Sequence, residues 1–260
     1  MPHSIVAPFL VVLLTMGISS GQTPGIPFRT TVPEISKAEQ LIVSVASDWS
    51  ATEVTIFLFG RADTAGRWQL AIPAIPAVCG RHGLAWGIGL QGGARPGEEQ
   101  KKEGDEKSPC GVFRLHEAFG LEPAAEVGKL AFPYRQMTRF YAGVDDPASR
   151  FYNRIVDATQ VQRDWKHAEQ MVRPDGLYRI GVVIEHNWTQ IPGFGSCIFL
   201  HVWRGPSFPT DGCTAMAESN LRTLIHWMVA NKSPLFVQLP IDVYRFQTSW
   251  ELPTLPTTAR

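Results

Sequence analysis

The sequence predicts a mainly β protein with a few helices, folded as a single domain. Three observations predict this class: short segments rich in β-branched and aromatic residues, two almost continuous apolar runs, and one apolar stripe with helical spacing. A chain of 260 residues can bury a sizeable core without disulfides or metals. Residues 22–260 show no internal repeat, and we expect them to form one domain.

The first 21 residues are expected to be a secretory signal peptide. Ile5–Gly17 is almost wholly apolar, and Ser19, Ser20 and Gly21 are small residues typical of a cleavage site. The apolar run is shorter than the roughly 20 residues that a membrane span needs. We therefore expect an exported protein that begins at Gln22 and has no stable membrane span after cleavage. An N-terminal anchor that is never cleaved is the alternative.

The N-terminal half is expected to contain short strands bounded by turn-forming residues. Segments of this kind are Leu41–Ala46, Glu53–Phe59, Trp68–Ile72 and Leu84–Leu90. The stretch Gly92–Lys107 follows, with many charges of both signs and no apolar periodicity. We interpret it as a solvated, mobile loop rather than a binding patch.

The C-terminal half contains the strongest secondary-structure signals. Tyr178–Glu185 and Ser196–Trp203 are nearly continuous in apolar residues, which indicates strands buried on both faces at the centre of a sheet. Glu218–Asn231 is predicted to be a helix, and Leu235–Leu239 a strand after it. Asp164–Val172 is a weaker helix candidate. The stripe that predicts the helix has helical spacing and consists of Leu221, Leu224, Ile225, Met228 and Val229.

Composition and charge exclude several classes of protein. The chain has 24 basic and 24 acidic residues, so it has no positive excess for binding phosphates, and we expect no nucleic-acid partner. An apolar content of 44% excludes a disordered chain. Four cysteines are too few for a disulfide scaffold, so each one has to be considered separately.

Cys213 is the candidate nucleophile, with His201 as its general base. Cys213 lies shortly before the predicted helix, whose dipole would favour the thiolate. Gly212 leaves room for a substrate carbonyl, so the backbone N–H groups of Gly212 and Cys213 are candidates for an oxyanion hole. His201 lies near the end of a buried strand, and the connection to Cys213 is long enough to bring the two side chains together. His186 is a reserve candidate, and an incidental buried cysteine is the alternative for Cys213.

The other cysteines have different interpretations. Cys197 lies on the same predicted strand as His201 and is expected to be a buried, apolar residue near the site. Cys79 and Cys110 form either a disulfide in an oxidising compartment or two isolated thiols, and the sequence leaves both open. Close pairs of zinc ligands are missing from the sequence, so neither a metal nor a cofactor is expected.

Two blocks of sequence, Ser196–Trp203 and Thr210–Met216, resemble the catalytic (YkuD-type) domain of L,D-transpeptidases, in a divergent branch of that family. The resemblance covers roughly residues 40–255 and implies a mixed β-sandwich. Further similar blocks are Ser108–Leu115, which matches a strand of that branch, Ala118–Gly120, Val144–Ser149, Tyr152–Asn153 and Glu185–Asn187.

The resemblance implies an exported cysteine L,D-transpeptidase or L,D-carboxypeptidase that acts on peptidoglycan. The Cys213 thiolate would attack a stem peptide between a diamino acid and the terminal D-alanine, forming a thioester as D-alanine leaves. An amine of another stem peptide, or water, would then release the acyl group. His201 would be the general base, and backbone N–H groups around Gly212 would form the oxyanion hole. The expected partner is a peptidoglycan stem peptide, in the periplasm or cell envelope of a bacterium.

Two positions depart from the family's pattern. Asp211 stands where better-known members have a histidine, and Ala215 where they usually have asparagine or arginine. Arg204 is a candidate replacement clamp for a substrate carboxylate, and Asp211 either orients His201 or shapes the loop. A non-catalytic cell-wall-binding module on the same fold is therefore the alternative. A papain-like or NlpC/P60-like peptidase ranks lower, because those enzymes place the cysteine before the histidine.

Overall fold

The computed structural model describes Met1 and residues 26–256. Apart from Met1, the expected signal peptide lies outside the described residues. No helix in the described part of the chain is long and apolar enough to cross a membrane. The elements are mostly strands with a few short helices, so the predicted mainly β class is confirmed.

The strands are joined by short turns and longer irregular segments. In chain order they are β1 (Gln40–Ala46), β2 (Glu53–Gly60), β3 (Gln69–Leu70), β4 (Ile75–Val78), β5 (Leu84–Trp86), β6 (Ser108–Gly120), β7 (Tyr134–Gln136), β8 (Tyr141–Val144), β9 (Arg154–Asp157), β10 (Glu169–Gln170), β11 (Ile180–Ile184), β12 (Phe199–Val202), β13 (Thr214–Met216) and β14 (Leu235–Pro240). The helices are α1 (Pro33–Lys37), α2 (Ala124–Val127), α3 (Glu218–Trp227) and α4 (Ile241–Phe246), with single 3₁₀ turns at Ala230–Lys232 and Thr248–Trp250.

Eight of the described strands form a sheet that closes on itself. The order is β1, β14, β6, β11, β12, β13, β4 and β2, and β2 pairs with β1 to complete the ring. The pairs β1–β14 and β12–β13 are parallel, and the other neighbours in the ring are antiparallel. Closure gives each of these strands a partner on both sides, which satisfies backbone groups that an open sheet would expose at its edges. A separate small sheet has the order β10, β8 and β9.

The two apolar runs form the central strands that the sequence predicts. Every residue of β11 and β12 is buried, and each strand has a partner on both sides. Helix α3 packs against these two strands, with Leu221, Leu224 and Ile225 fully buried along its apolar stripe. The helix is shorter than predicted and ends at Trp227, because the chain then becomes extended and pairs with another segment through the bridge Ala131–Val229. Thus α3 covers the strand that carries His201.

The predicted helix at Asp164–Val172 is wrong. Glu169 and Gln170 instead form β10, which pairs with β8. The preceding residues use their polar groups for other hydrogen bonds: the Ser149 hydroxyl donates to Asp164 at 2.5 Å, and the Lys166 amide donates to Asp146 at 2.7 Å. Such bonds from backbone and short polar side chains compete with helix formation.

A second core cluster lies between the large sheet and the small sheet. Besides the main core of the closed sheet, aromatic, aliphatic and sulfur-containing side chains pack together on the opposite face of β11 and β12. Its fully or nearly fully buried members are Phe119, Met137, Met171, Tyr178, Val183, Cys197, Phe199 and Cys213. The candidate nucleophile is therefore embedded in an apolar layer.

The side chain of His186 links two irregular segments in the interior through hydrogen bonds to their backbone. It is fully buried; its Nε2–H donates to the carbonyl of Phe194 at 2.8 Å, and its Nδ1 accepts the amide hydrogen of Ile88 at 3.2 Å. Burial lowers the pKa of His186 to about 3. The folded protein thus holds this ring neutral over a pH range in which the unfolded chain would protonate it.

The buried neutral His186 predicts a loss of stability in mild acid. Its folded pKa lies below the unfolded value of about 6.5, so the unfolded state binds the extra proton and stability falls as the pH drops below 6.5. Between pH 6.5 and 4.5 the free energy of unfolding should fall by about 2 kcal/mol less in His186→Gln than in wild type. Urea unfolding at several pH values measures this difference. The exposed His167→Gln is the control, and equal pH slopes for wild type and His186→Gln would contradict the prediction.

Candidate active site

A cavity of about 330 Å³ lies over the face of β12 and β13 that carries the candidate residues. Side chains from distant parts of the chain meet in its wall, and Cys213 and His201 both line it. Other polar and charged lining residues are Arg81, Lys101, Glu103, Glu106, Asp145, Glu169, Arg173, Tyr178, Ser196, Arg204, Thr210 and Asp211.

Cys213 immediately precedes β13 and is held by main-chain groups. Its Sγ accepts the amide hydrogen of Phe199 at 3.3 Å, and its thiol points toward the carbonyl of Cys197 at 3.6 Å. Its own carbonyl accepts hydrogen bonds from the hydroxyls of Ser108 at 2.8 Å and Thr210 at 2.6 Å. These contacts fix the orientation of both the sulfur and the peptide group.

His201 lies on the neighbouring strand and shares a face with Cys213. It pairs with Ala215 in the parallel register, so Cys213 is displaced from it by two residues. Both side chains line the same cavity, but no hydrogen bond joins them, and the Cys213 thiol points toward the carbonyl of Cys197. The structure therefore brings the predicted nucleophile and base to one site.

The histidine ring is held in one tautomer. His201 Nδ1 is 2.8 Å from the carbonyl of Val202, which only accepts hydrogen bonds, so Nδ1 carries the hydrogen and Nε2 keeps a lone pair. The ring contacts Tyr178 edge-to-face, with the ring centroids 5.3 Å apart. A neutral imidazole in this state can accept a proton at Nε2.

Both members of the pair are neutral at rest. Burial is the main cause that raises the pKa of Cys213 to about 12, and the negative charge of Glu169 adds to it. Burial also lowers the pKa of His201 to about 4. The expectation that a helix dipole favours the Cys213 thiolate is wrong, because β13 separates Cys213 from α3, and the residue is only 8% exposed.

One of the two backbone donors predicted for an oxyanion hole is Gly212, and its amide has a partner within the protein. The amide of Gly212 donates to the Thr210 hydroxyl at 3.2 Å, so that hydrogen already has a protein acceptor. Gly212 has φ of +143°, a conformation that favours glycine, and a Cβ at this position would lie 3.3 Å from the carbonyl of Lys107. Glycine is therefore required here by the backbone conformation.

The three predicted substrate-binding residues are placed differently. Arg204 lines the cavity with an exposed side chain, 3.7 Å from Asp175. Asp211 also lines it, but its carboxylate pairs with Arg81 and makes no hydrogen bond to His201. Of the two roles considered for Asp211, the contacts favour shaping the loop. His186 is fully buried, bonds to backbone at both ring nitrogens, and is not among the lining residues.

Sequence reasoning missed the pair formed by Tyr178 and Glu169. The Tyr178 hydroxyl donates to the Glu169 carboxylate beside Cys213, and burial raises the pKa of that carboxyl. A tyrosine at the start of an otherwise aliphatic strand was the available signal for one partner. No local signal marked Glu169, because it occurs within the segment that we expected to be helical.

Gly92–Lys107 is an irregular loop, as expected, with exposed residues at 96–99 and 102–104, but other parts of it pack against the protein. The backbone of this segment docks along β5: the Trp86 amide donates to Glu99 at 2.9 Å, and the Lys101 amide donates to Trp86 at 2.8 Å. Many of its charges pair within the segment, including Lys101 with Asp105. With these charges paired locally, the segment packs against the protein and supplies lining residues of the cavity.

All four cysteines are free and buried. Cys197 lies near the site, as expected, and its backbone has φ of +53°. Cys79 and Cys110 are two separate thiols, the second of the alternatives left open by the sequence. Among the described residues, no group of three or more His, Cys, Asp or Glu side chains is arranged to hold a metal ion.

Comparisons of the chain with protein-family models, with curated proteins and with solved structures find no match.

The buried thiol predicts a distinctive alkylation profile. Because the pKa of Cys213 is raised to about 12, its reaction with iodoacetamide should accelerate about tenfold per pH unit from pH 7 to 9.5, without a plateau. Peptide mass spectrometry of the Cys213 peptide measures the rate, and a free peptide thiol, which levels off near its own pKa of about 8.5, is the control. A plateau at or below pH 9 for Cys213 would show that the thiol is more solvated than described.

Proposed function

We propose that this chain is an exported cysteine L,D-transpeptidase or L,D-carboxypeptidase that acts on peptidoglycan stem peptides, in a divergent branch of the YkuD-type family. One observation carries the proposal: Cys213 and His201 lie on the same face of two paired parallel strands, at one cavity. The closed mixed sheet would be a variant of that family's β-sandwich. The apolar N-terminal segment supports export to the periplasm or cell envelope of a bacterium.

The neutral pair supports general-base activation rather than a preformed thiolate. As the Cys213 sulfur bonds to the scissile carbonyl carbon, His201 Nε2 takes the thiol proton, and the carbonyl oxygen becomes an oxyanion. When the tetrahedral intermediate collapses, the C–N bond breaks and His201 returns the proton to the amine of the leaving D-alanine. A thioester then remains on Cys213. An acceptor amine or water attacks it, and His201 accepts the proton of that nucleophile. The C–S bond then breaks, and His201 returns the proton to the departing Cys213 sulfur.

The cavity has a size and charge that suit a short zwitterionic peptide. Its volume of about 330 Å³ is within the range of small-ligand sites. Arg204 is exposed at its wall and only loosely paired, so its guanidinium is a suitable partner for a peptide carboxylate. Asp145 also lines the cavity, and its Oδ1 is buried with no hydrogen-bond partner in the described part of the chain. A diamino acid carries an ammonium group that such a carboxylate would bind.

A non-catalytic cell-wall-binding module is the second candidate, and one observation favours it. Cys213 is only 8% exposed, and the pKa of its thiol is raised rather than lowered. In this case purified protein would bind isolated cell walls without changing their muropeptide profile. An enzyme would shorten tetrapeptides or cross-link them in the same assay.

Replacing Cys213 or His201 tests the assignment of nucleophile and base. Intact mass after incubation with a carbapenem or a tetrapeptide muropeptide should show an acyl adduct in wild type and none in Cys213→Ala. His201→Ala should fold but acylate at least about 100-fold more slowly, since a positioned base typically contributes 10²–10⁴ in rate.

Cys197→Ala is the matched control, because it removes a buried thiol beside the same cavity and should still form the adduct. An adduct on Cys213→Ala, or none on wild type with any donor, would overturn the proposed function.

The pH dependence of acylation tests the neutral resting state. His201 must be neutral to accept a proton, and its pKa is lowered to about 4. The base form is therefore complete above pH 5 and is lost as the pH falls through 4, so the acylation rate should be flat from pH 5 to 8. Stopped-flow or quenched mass spectrometry gives the rates, with circular dichroism at each pH to verify folding. A rate that falls by half near pH 6.5 would indicate a solvated histidine instead.

A further inference from the structure

Lys101 lines the cavity, although the proposed acyl transfer by Cys213 and His201 gives it no role. Its side chain is only 3% exposed. The backbone groups of Glu99 and Lys101 hydrogen-bond to the backbone of Trp86, and these bonds hold this part of the chain against β5. Burying an ammonium group costs free energy unless the group is paired and hydrogen-bonded.

The ammonium of Lys101 is held in a fixed position by Asp105. It pairs with Asp105 Oδ1 and donates to the carbonyl of Lys102 at 3.0 Å. The carboxylate is itself anchored by two amides, from Lys102 at 2.7 Å and from Lys107 at 2.9 Å. Among the described residues, two acceptors therefore bind the ammonium, and its third hydrogen can bind a ligand.

The ammonium of Lys101 lies beside the residue that precedes the candidate nucleophile. A Cβ placed on Gly212 would lie 3.7 Å from Lys101 Nζ, so the ammonium faces the residue next to the nucleophile. The amide of Gly212 already donates to Thr210, which leaves the oxyanion site short of one backbone donor. The positive charge of Lys101 also acts on the sulfur, since it is among the causes that lower the pKa of Cys213 against the dominant effect of burial.

We propose that Lys101 is a catalytic residue that donates its third ammonium hydrogen to the scissile carbonyl oxygen and stabilises the oxyanion of the tetrahedral intermediate. This inference rests on the proposed function. The resting thiol and imidazole are neutral, so negative charge appears on that oxygen only as the carbon–sulfur bond forms. A fixed ammonium therefore interacts more strongly with the transition state than with bound substrate, which is the condition for accelerating the reaction.

Acylation and alkylation of the Cys213 sulfur together distinguish oxyanion stabilisation by Lys101 from a structural role. Acylation by a carbapenem or a peptide donor passes through an oxyanion, whereas alkylation by iodoacetamide displaces iodide at a saturated carbon and forms none. Lys101→Met should slow acylation by about 100- to 1,000-fold, the usual effect of losing an oxyanion donor. Alkylation of Cys213 should change by less than about tenfold, through the thiol pKa alone.

The matched control is Lys107→Met. Lys107 lies on the same segment and pairs with Glu99, but it does not line the cavity, so both of its rates should stay near wild type. If Lys101→Met does not fold, Asp105→Asn replaces it, because this change keeps the lysine but weakens the carboxylate pair that fixes it. Acylation in Asp105→Asn should fall at least tenfold, with alkylation of Cys213 unchanged.

The outcomes distinguish this inference from the proposed function. Wild-type acylation in a folded Lys101→Met, or in Asp105→Asn when it stands in, would overturn the role of Lys101 and leave the proposed function intact. An equal fall in acylation and alkylation would also overturn it, because Lys101 would then act on the thiol and not on the oxyanion. Absence of acylation in wild type would overturn both.

Discussion

The parallel pairing of β12 with β13 is the constraint on which the site depends. The chain leaves β12 after Val202, crosses residues 203–213 and returns to run beside the same strand. Because opposite residues of a parallel pair point to the same face, the histidine and the cysteine share one surface. An antiparallel hairpin of the same sequence would place Cys213 at a different register. Closure of the eight-stranded sheet holds this pair in place, since both strands have a second neighbour.

A buried network of asparagine side chains supports the approach to β12. Asn153 donates to the carbonyls of His186 and Asn187, both at 2.8 Å, and accepts the amide hydrogen of Cys197 at 2.9 Å. Asn187 in turn donates to the carbonyls of Ile191 and Gly195. These bonds hold Cys197 in its left-handed conformation, from which its carbonyl faces the Cys213 thiol. Buried polar groups of this kind specify one backbone path, because any other path would leave them unsatisfied.

Burial controls the chemistry of the site more than any single charge does. It raises the pKa of Cys213 and lowers that of His201, so both side chains are neutral near pH 7. Charge then develops only during a reaction, and the surrounding groups determine how well it is stabilised. The ion pair of Lys101 with Asp105, anchored by backbone amides, provides a cation in this apolar layer whose orientation is already fixed. Such preorganisation avoids the reorganisation that water would require.

The sequence by itself determined the mainly β class, the central strands, the amphipathic stripe of α3, and Cys213 and His201 as candidates. Each of these follows from local periodicity or from residue types close together in the chain. Only the tertiary structure decided the closure of the sheet, the pairing of Asp211 with Arg81, the burial of His186, and the packing of Gly92–Lys107 into the cavity wall. These features depend on partners far away in sequence: Lys101 and Gly212 are neighbours in space although 111 residues separate their positions in the chain. Local patterns indicate whether a segment can be buried, but not which distant segment it packs against. For this reason the sequence predicts a loop at Gly92–Lys107 but not its position in the cavity wall.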